Sequence, residues 1–286
     1  MRKLIFLFCV FACSFVACSA TRTVVDETGR EVVVPDHPHR IICLVPSITD
    51  GVFSLGAGDD VVAVSNYVEF PLAAQKKPSV GSIMAPSLEM IVSLHPDLIL
   101  GTPKANSQAT LDQLGQMGIP VFLVDPHGLA GILHGITLLG RALNRDSQAV
   151  VLTTSLQRRI DAVRDSARGK PVIRVFMPVW YDPVITIGKG AFITEIIQAA
   201  GGRSITDDLS QEWPHMSMEA VVARGPEALL LVRGGKTTFD TLKDKPGWDA
   251  LPAVRARRAF YIDRRVDFPS PVAIDALEDL AKQFHP

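Results

Sequence analysis

The sequence predicts an α/β protein built as two lobes with parallel sheets, joined by one long helix. Three observations carry this expectation. Apolar strand-like runs alternate with helix-like runs along most of the chain, which is the rhythm of βαβ units. One αβ unit occurs twice with identical spacing. Its first copy is Ser87-Leu88-Glu89-Met90-Ile91-Val92 followed by Pro96-Asp97-Leu98-Ile99-Leu100, and its second is Ser217-Met218-Glu219-Ala220-Val221-Val222 followed by Pro226-Glu227-Ala228-Leu229-Leu230. Between the copies, Leu152, Leu156, Ile160, Val163 and Ala167 recur at steps of three and four, while Arg158, Arg159, Asp161, Arg164 and Asp165 fall on other faces. That is an amphipathic helix over 144–168, and about 25 helical residues span roughly 37 Å.

The chain opens with Arg2 and Lys3 and an apolar run from Leu4 to Ala17, too short for a comfortable membrane span. The run ends in Phe15-Val16-Ala17-Cys18, which resembles the lipobox of bacterial lipoproteins, with phenylalanine in place of the usual leucine. That resemblance implies a signal peptide over 1–17, a lipid on Cys18 and residence in the cell envelope, facing the periplasm or the outside. A plain secretory signal is the alternative. Cys9, Cys13 and Cys18 belong to this segment, so Cys43 alone remains. It sits in an apolar run and reads as a small buried hydrophobe.

Residues 18–37 form a tether and a hairpin, two valine-rich runs around Glu27-Thr28-Gly29. The first lobe is expected over 38–143. Arg40 to Val45 is a buried strand, and Pro46 opens a helix in which Ser47 and Asp50 have near-capping-box spacing. Strands follow at 61–64, 97–100 and 120–124, with helices over 87–94, 107–117 and 129–143. Asn144, Asp146 or Ser147 can cap the long helix, and Gly169 with Pro171 stops it. The second lobe, 169–286, restarts with a strand over 171–177. Helices over 192–200, 218–223 and 272–284 and strands over 229–232 and 259–262 complete it.

The chain has 286 residues, 47% of them hydrophobic, and a net charge of −1, ample material for two cores. Near-neutrality gives no basis for nucleic-acid binding, which needs a basic face. There is no Gly-x-Ser-x-Gly elbow and no phosphate loop, so the sequence offers no footing for an enzyme. Asp36, His37 and His39 are the nearest approach to a metal-binding group, and read better as a solvated linker.

The organisation resembles the substrate-binding proteins that serve ABC importers of corrinoids, siderophores and haem. The residues that carry the likeness are Arg40-Ile41-Ile42 through Pro46-Ser47, Asp97-Leu98-Ile99, Ile187-Gly188-Lys189-Gly190 with Phe192, and Ala200-Gly201-Gly202. Ser65-Asn66-Tyr67 with Pro71, Ala74-Gln75-Lys76, Trp213-Pro214 and Ser270-Pro271 are most similar to its cobalamin-binding members. The resemblance implies two Rossmann-like lobes joined by one long helix, the class III architecture, with a corrinoid as cargo and no cofactor.

It also implies roles for named residues. Glu89 and Glu219, one per lobe, match the glutamates that the family presents to the permease dimer. The helix dipole alone explains a glutamate in a first turn, but not a matched pair. Tyr67 and Trp213 match corrin-contacting positions, whereas Ile83 and Gly101 stand where cobalamin-binding members have tryptophan. The Trp180-Tyr181-Asp182-Pro183 loop follows a strand's carboxyl end and is expected to supply the missing aromatic surface. Arg233, Arg264 and Arg265 suit an anionic ferric siderophore or haem propionates, which keeps those cargoes as the alternative. A metal-binding lipoprotein remains a minor one.

Overall fold

The computed structural model describes residues 20–286. The expected signal peptide and the expected lipid on Cys18 lie outside the described residues. The hairpin comes first, β1 (Thr21–Val25) paired antiparallel with β2 (Glu31–Pro35). The first lobe then runs β3 (Ile41–Cys43), α1 (Pro46–Ser54), β4 (Val61–Val64), α2 (Leu88–Ser93), β5 (Leu98–Gly101), α3 (Gln108–Gln116), β6 (Val121–Leu123) and α4 (Gly128–Leu143). Its four strands are parallel in the order β4-β3-β5-β6. Ile41, Ile42, Leu98 and Ile99 are fully buried. Helices cover both faces of this sheet, so its strands read as unbroken apolar runs rather than alternating ones. The hairpin shields the open edge of β6, where Glu27 N–H donates to Leu123 O at 3.0 Å.

The linking helix is α5 (Asp146–Ala167), 22 residues, or about 33 Å long. It starts later than the periodicity predicts, because Asn144 takes a left-handed conformation and ends α4. Arg145 is the N-cap, without a side-chain cap hydrogen bond, so none of the three expected caps is used. The turn between α4 and α5 is tight: a Cβ at Gly140 would lie 2.5 Å from Ala149 Cβ.

The second lobe is β7 (Ile173–Phe176), β8 (Pro178–Tyr181), β9 (Val184–Thr186), α6 (Phe192–Ala199), β10 (Gly202–Ser204), β11 (His215–Met216), α7 (Met218–Arg224), β12 (Ala228–Val232), α8 (Phe239–Lys243), α9 (Pro252–Arg255), β13 (Ala259–Ile262) and α10 (Ala273–Phe284). Its parallel sheet has the order β10-β7-β12-β13. Numbering only the four strands of each parallel sheet in chain order, both sheets read 2-1-3-4, so the repeat seen in sequence is a repeat of topology. The second lobe adds a small antiparallel sheet, β11-β9-β8. The residues expected as the Trp180–Pro183 loop therefore form a strand and its turn.

One buried apolar cluster runs from β3 and β5 through α1, α4 and α5 into α6, α10 and β12. The lobes thus share a continuous core on the linker side. Separate clusters fill the outer face of each sheet. A shared core and an unbroken helix oppose wide hinge motion.

Candidate functional site

Both sheets reverse strand order between their first and third strands, and open α/β sheets bind ligands in the crevice at that point. In the first lobe the chain leaves β3 through Val45, Pro46 and Ser47, leaves β5 through Thr102, Lys104 and Ala105, and leaves β6 through Asp125 to Gly128. All of these line one cavity of about 510 Å³. Its opposite wall comes from the second lobe: Phe192 and Ile193 at the start of α6, Glu212 with Trp213, and Val266 to Pro269. That volume is in the range of small-molecule sites. The wall is aromatic where Phe192, Trp213 and Phe268 stand, with Trp213 46% exposed.

The polar groups of the first-lobe floor are mutually tied. Thr102 Oγ1 donates to Asp125 Oδ1 at 3.0 Å, and His127 Nε2 lies 3.0 Å from Asp125 Oδ2. The Asn106 side chain accepts from Thr102 N–H at 2.8 Å and donates to Ile83 O at 2.7 Å. A Cβ at Gly101 would lie 2.7 Å from Asn106 Oδ1. Position 101 is therefore closed to a ring by this chain's own loop, which accounts for the departure from tryptophan. Ile83 lines the cavity as an aliphatic wall.

Two carboxylates accept backbone N–H groups from the opposite lobe. Glu195 on α6 accepts from Leu129 N–H at 2.9 Å, capping the N-terminus of α4. Gly128 just before it has φ of +68°, and a Cβ there would collide with the Glu195 carboxylate. Asp50 on α1 accepts from Val272 N–H at 2.9 Å. The capping-box expectation for Ser47 and Asp50 fails, because Pro46 already lies inside α1 and Val45 is its N-cap. That leaves Asp50 to reach the other lobe. Burial pushes its carboxyl above the ordinary range, with the Val272 and Ser270 hydrogen bonds pulling down and the Asp275 charge pushing up.

A second, smaller cavity of about 200 Å³ adjoins the first and shares Pro46, Ser47, Asp267 and Phe268 with it. Tyr67 lies on its rim, 75% exposed, with φ of 69°. Arg264 also lines it, and is paired with Glu69 at 3.1 Å across the lobes and with Asp267 at 3.4 Å.

The sequence-stated residues thus divide. Tyr67, Trp213 and Arg264 come together in the cleft. Trp180 and Tyr181 line neither cavity: they stack on each other at 5.3 Å, Trp180 Nε1–H donates to Asp182 O, and Lys245 lies 4.8 Å from the Tyr181 ring centre. Arg233 is exposed beyond β12 and also lines neither cavity. Phe268, Asp125 and His127 carried no sequence signal of their own and are found only because their loops converge. His37 and His39 each face one carboxylate, Asp36 at 3.7 Å and Asp60 at 3.0 Å. Among the described residues no three His, Cys, Asp or Glu side chains gather to hold a metal ion.

Glu89 and Glu219 are exposed in the first turns of α2 and α7. Their settings match: Ser87 Oγ accepts from Met90 N–H and Ser217 Oγ accepts from Ala220 N–H, each at 3.2 Å. The Glu219 carboxyl is held below the ordinary range by its own backbone N–H and the Ser217 hydroxyl.

A family model described as periplasmic binding protein matches residues 41–266. A vitamin B12-binding protein of Yersinia pestis is 33% identical over 204 residues, covering 71% of this chain and 72% of its own. Among solved structures, the periplasmic heme-binding protein RhuT from Roseiflexus sp. RS-1 in apo form aligns with TM-score 0.79 and 29% identity, over 86% of this chain and 98% of that one. The periplasmic vitamin B12 binding protein BtuF of Vibrio cholerae aligns with TM-score 0.73 and 24% identity, over 86% and 96%, a likeness of fold.

Proposed function

This chain belongs to the periplasmic binding protein family, and from that premise we propose that it captures a corrinoid, cobalamin or cobinamide, and delivers it to an ABC importer. The family is one of substrate-binding proteins that serve such importers, not of enzymes. The observation that carries the corrinoid reading is the aromatic cleft. A flat, largely apolar ring gains contact area on Phe192, Trp213 and Phe268 at little entropic cost, and Tyr67 stands at the rim. The 33% identity to a vitamin B12-binding protein supports the same cargo.

The lobes are proposed as 38–143 and 169–286, with 144–168 as the segment between them. Glu89 and Glu219 are proposed to dock on the permease dimer, supported by their exposure and equivalent Ser-capped turns. Lipid anchoring at Cys18 is proposed from the lipobox-like Phe15-Val16-Ala17-Cys18. No helix among the described residues is long and apolar enough to cross a membrane.

Haem is the second reading, favoured by the 29% identity to a heme-binding protein and by the absence of tryptophan at positions 83 and 101. Titration of the purified protein with cobalamin, cobinamide, haem and ferric siderophores separates them. Saturable one-to-one binding of a corrinoid is expected. Tight binding of haem or a siderophore with none of any corrinoid overturns the cargo assignment.

A further inference from the structure

The smaller cavity forms a side compartment of the cleft. It faces the main cavity across Asp267 and Phe268. Two arginines line it, and neither is free. Arg264 pairs with Glu69 and Asp267. Arg265 is held by Asp263 at 3.0 Å, Asp275 at 3.2 Å and Asp279 at 3.1 Å, and so points its charge into the α10 side of the lobe. Three carboxylates line the same cavity, Asp50, Glu69 and Asp267. One arginine is shared between two of them, and the third, Asp50, is 7% exposed and forms no salt bridge among the described residues. Burial, together with the Glu69 and Asp263 charges, pushes the Asp267 carboxyl above its ordinary range, although Arg264 pulls the other way. The compartment therefore holds an excess of hydrogen-bond acceptors and of negative charge, in a place where a further anion finds no open guanidinium.

From this we infer that the side compartment takes neutral hydrogen-bond-donating arms of the cargo, primary carboxamides above all, and rejects carboxylates. An amide N–H satisfies acceptors on Asp50 and Asp267, and the amide oxygen finds the hydroxyl of Ser47, the Ser270 hydroxyl being already engaged with Asp50. A carboxylate brings a like charge beside these groups, and such juxtaposition is the usual means by which a site excludes a wrong partner. The inference rests on the reading of the cleft as the cargo site. It adds a selection by substituent: rings with amide arms pass, and rings with free acid arms do not. It also gives the Glu69–Arg264 pair a role distinct from gripping an anion, since that pair occupies the Arg264 guanidinium while Arg265 is already held by three carboxylates.

The test compares cyanocobinamide with its separated monocarboxylic acid isomers, each having one peripheral amide hydrolysed, by calorimetric titration at pH 7.5 and low salt. At least one isomer is expected to bind about tenfold or more weakly than the parent. In the double variant Glu69→Gln with Asp267→Asn, which frees Arg264, that same isomer is expected to reach parity or bind more tightly than the parent. All isomers binding within about threefold of the parent, or a penalty unchanged in the double variant, overturns the inference. Should no corrinoid bind, haem and its dimethyl ester make the same comparison. A tighter ester upholds the inference while the corrinoid assignment falls. A tighter diacid, or no binding of either, overturns the inference as well.

Discussion

Glu195 offers a direct probe of how the two lobes are held in register. α4 begins at Gly128 with His127 as N-cap, no side-chain cap and no acidic residue in its first turn. The Glu195 carboxylate, arriving from α6 of the other lobe, is the side-chain acceptor seen there, with Leu129 N–H at 2.9 Å and Arg164 at 4.0 Å. A hydrogen bond to a charged group is worth about 1.5–3 kcal/mol, and a capping acceptor about 0.5–2 kcal/mol. The side chain is 38% exposed, so solvent screening favours the lower part of those ranges, about 1–1.5 kcal/mol. Glu195→Ala should therefore lower the Tm of the ligand-free protein by about 2–6 °C, taking about 2–4 °C per kcal/mol at this size. Glu195→Gln keeps an acceptor and loses the attraction to the helix dipole, about 0.3–1 kcal/mol, and the weak, solvent-screened attraction to Arg164, so its loss should be smaller. Differential scanning calorimetry reads both. An alanine variant within about 0.5 °C of wild type, or a glutamine variant as damaged as the alanine one, refutes the capping argument.

Further outcomes follow from other contacts. Trp213→Ala should weaken corrinoid binding about tenfold or more, roughly 1.4 kcal/mol, while Trp180→Ala, outside both cavities, should stay within about threefold; equal losses would place the ring elsewhere. Glu89→Arg with Glu219→Arg should leave ligand affinity intact and stop uptake in cells, and unchanged uptake removes the docking role. Asp50 gives a pH signature. Its folded pKa is raised above the ordinary 3.8 by burial, so the native state binds the extra proton, and the contribution to stability is present below 3.8 and lost as pH rises through the folded value. Asp50→Asn keeps an acceptor for Val272 N–H without the charge. Its Tm relative to wild type should rise between pH 3.5 and pH 7, and a flat or falling difference contradicts the assigned burial.

Much of this architecture was written in local pattern. The two Ser-Leu/Met-Glu turns, their capped helices and the Pro breaks before β5 and β12 are short-range signals, and both copies fold alike. Continuous apolar runs located the inner strands because those strands are covered on both faces. Other features depended on distant contacts. β9 and β11 have three and two residues, too few for any alternation to register, so the small sheet that carries Trp180 and Tyr181 stayed hidden. Without that sheet the aromatic pair looked like a cleft loop. Asp50 looked like a capping residue because its true partner, Val272, is 222 positions away. Arg264 looked like an anion grip because nothing in sequence places Glu69 beside it. The cleft itself is a product of loop convergence; Tyr67, Trp213, Phe192, Ile83, Arg264 and Arg265 were marked in advance, the first four through resemblance or aromatic character.

The central claim is that cargo lodges between the lobes, against Phe192, Trp213 and Phe268. A crystal structure of the protein with cobinamide tests it most directly. The account predicts ring density in the cavity between the ends of β3 and β5 and the Trp213 wall. Ring density stacked instead on the Trp180–Tyr181 pair, with that cavity empty, would contradict it.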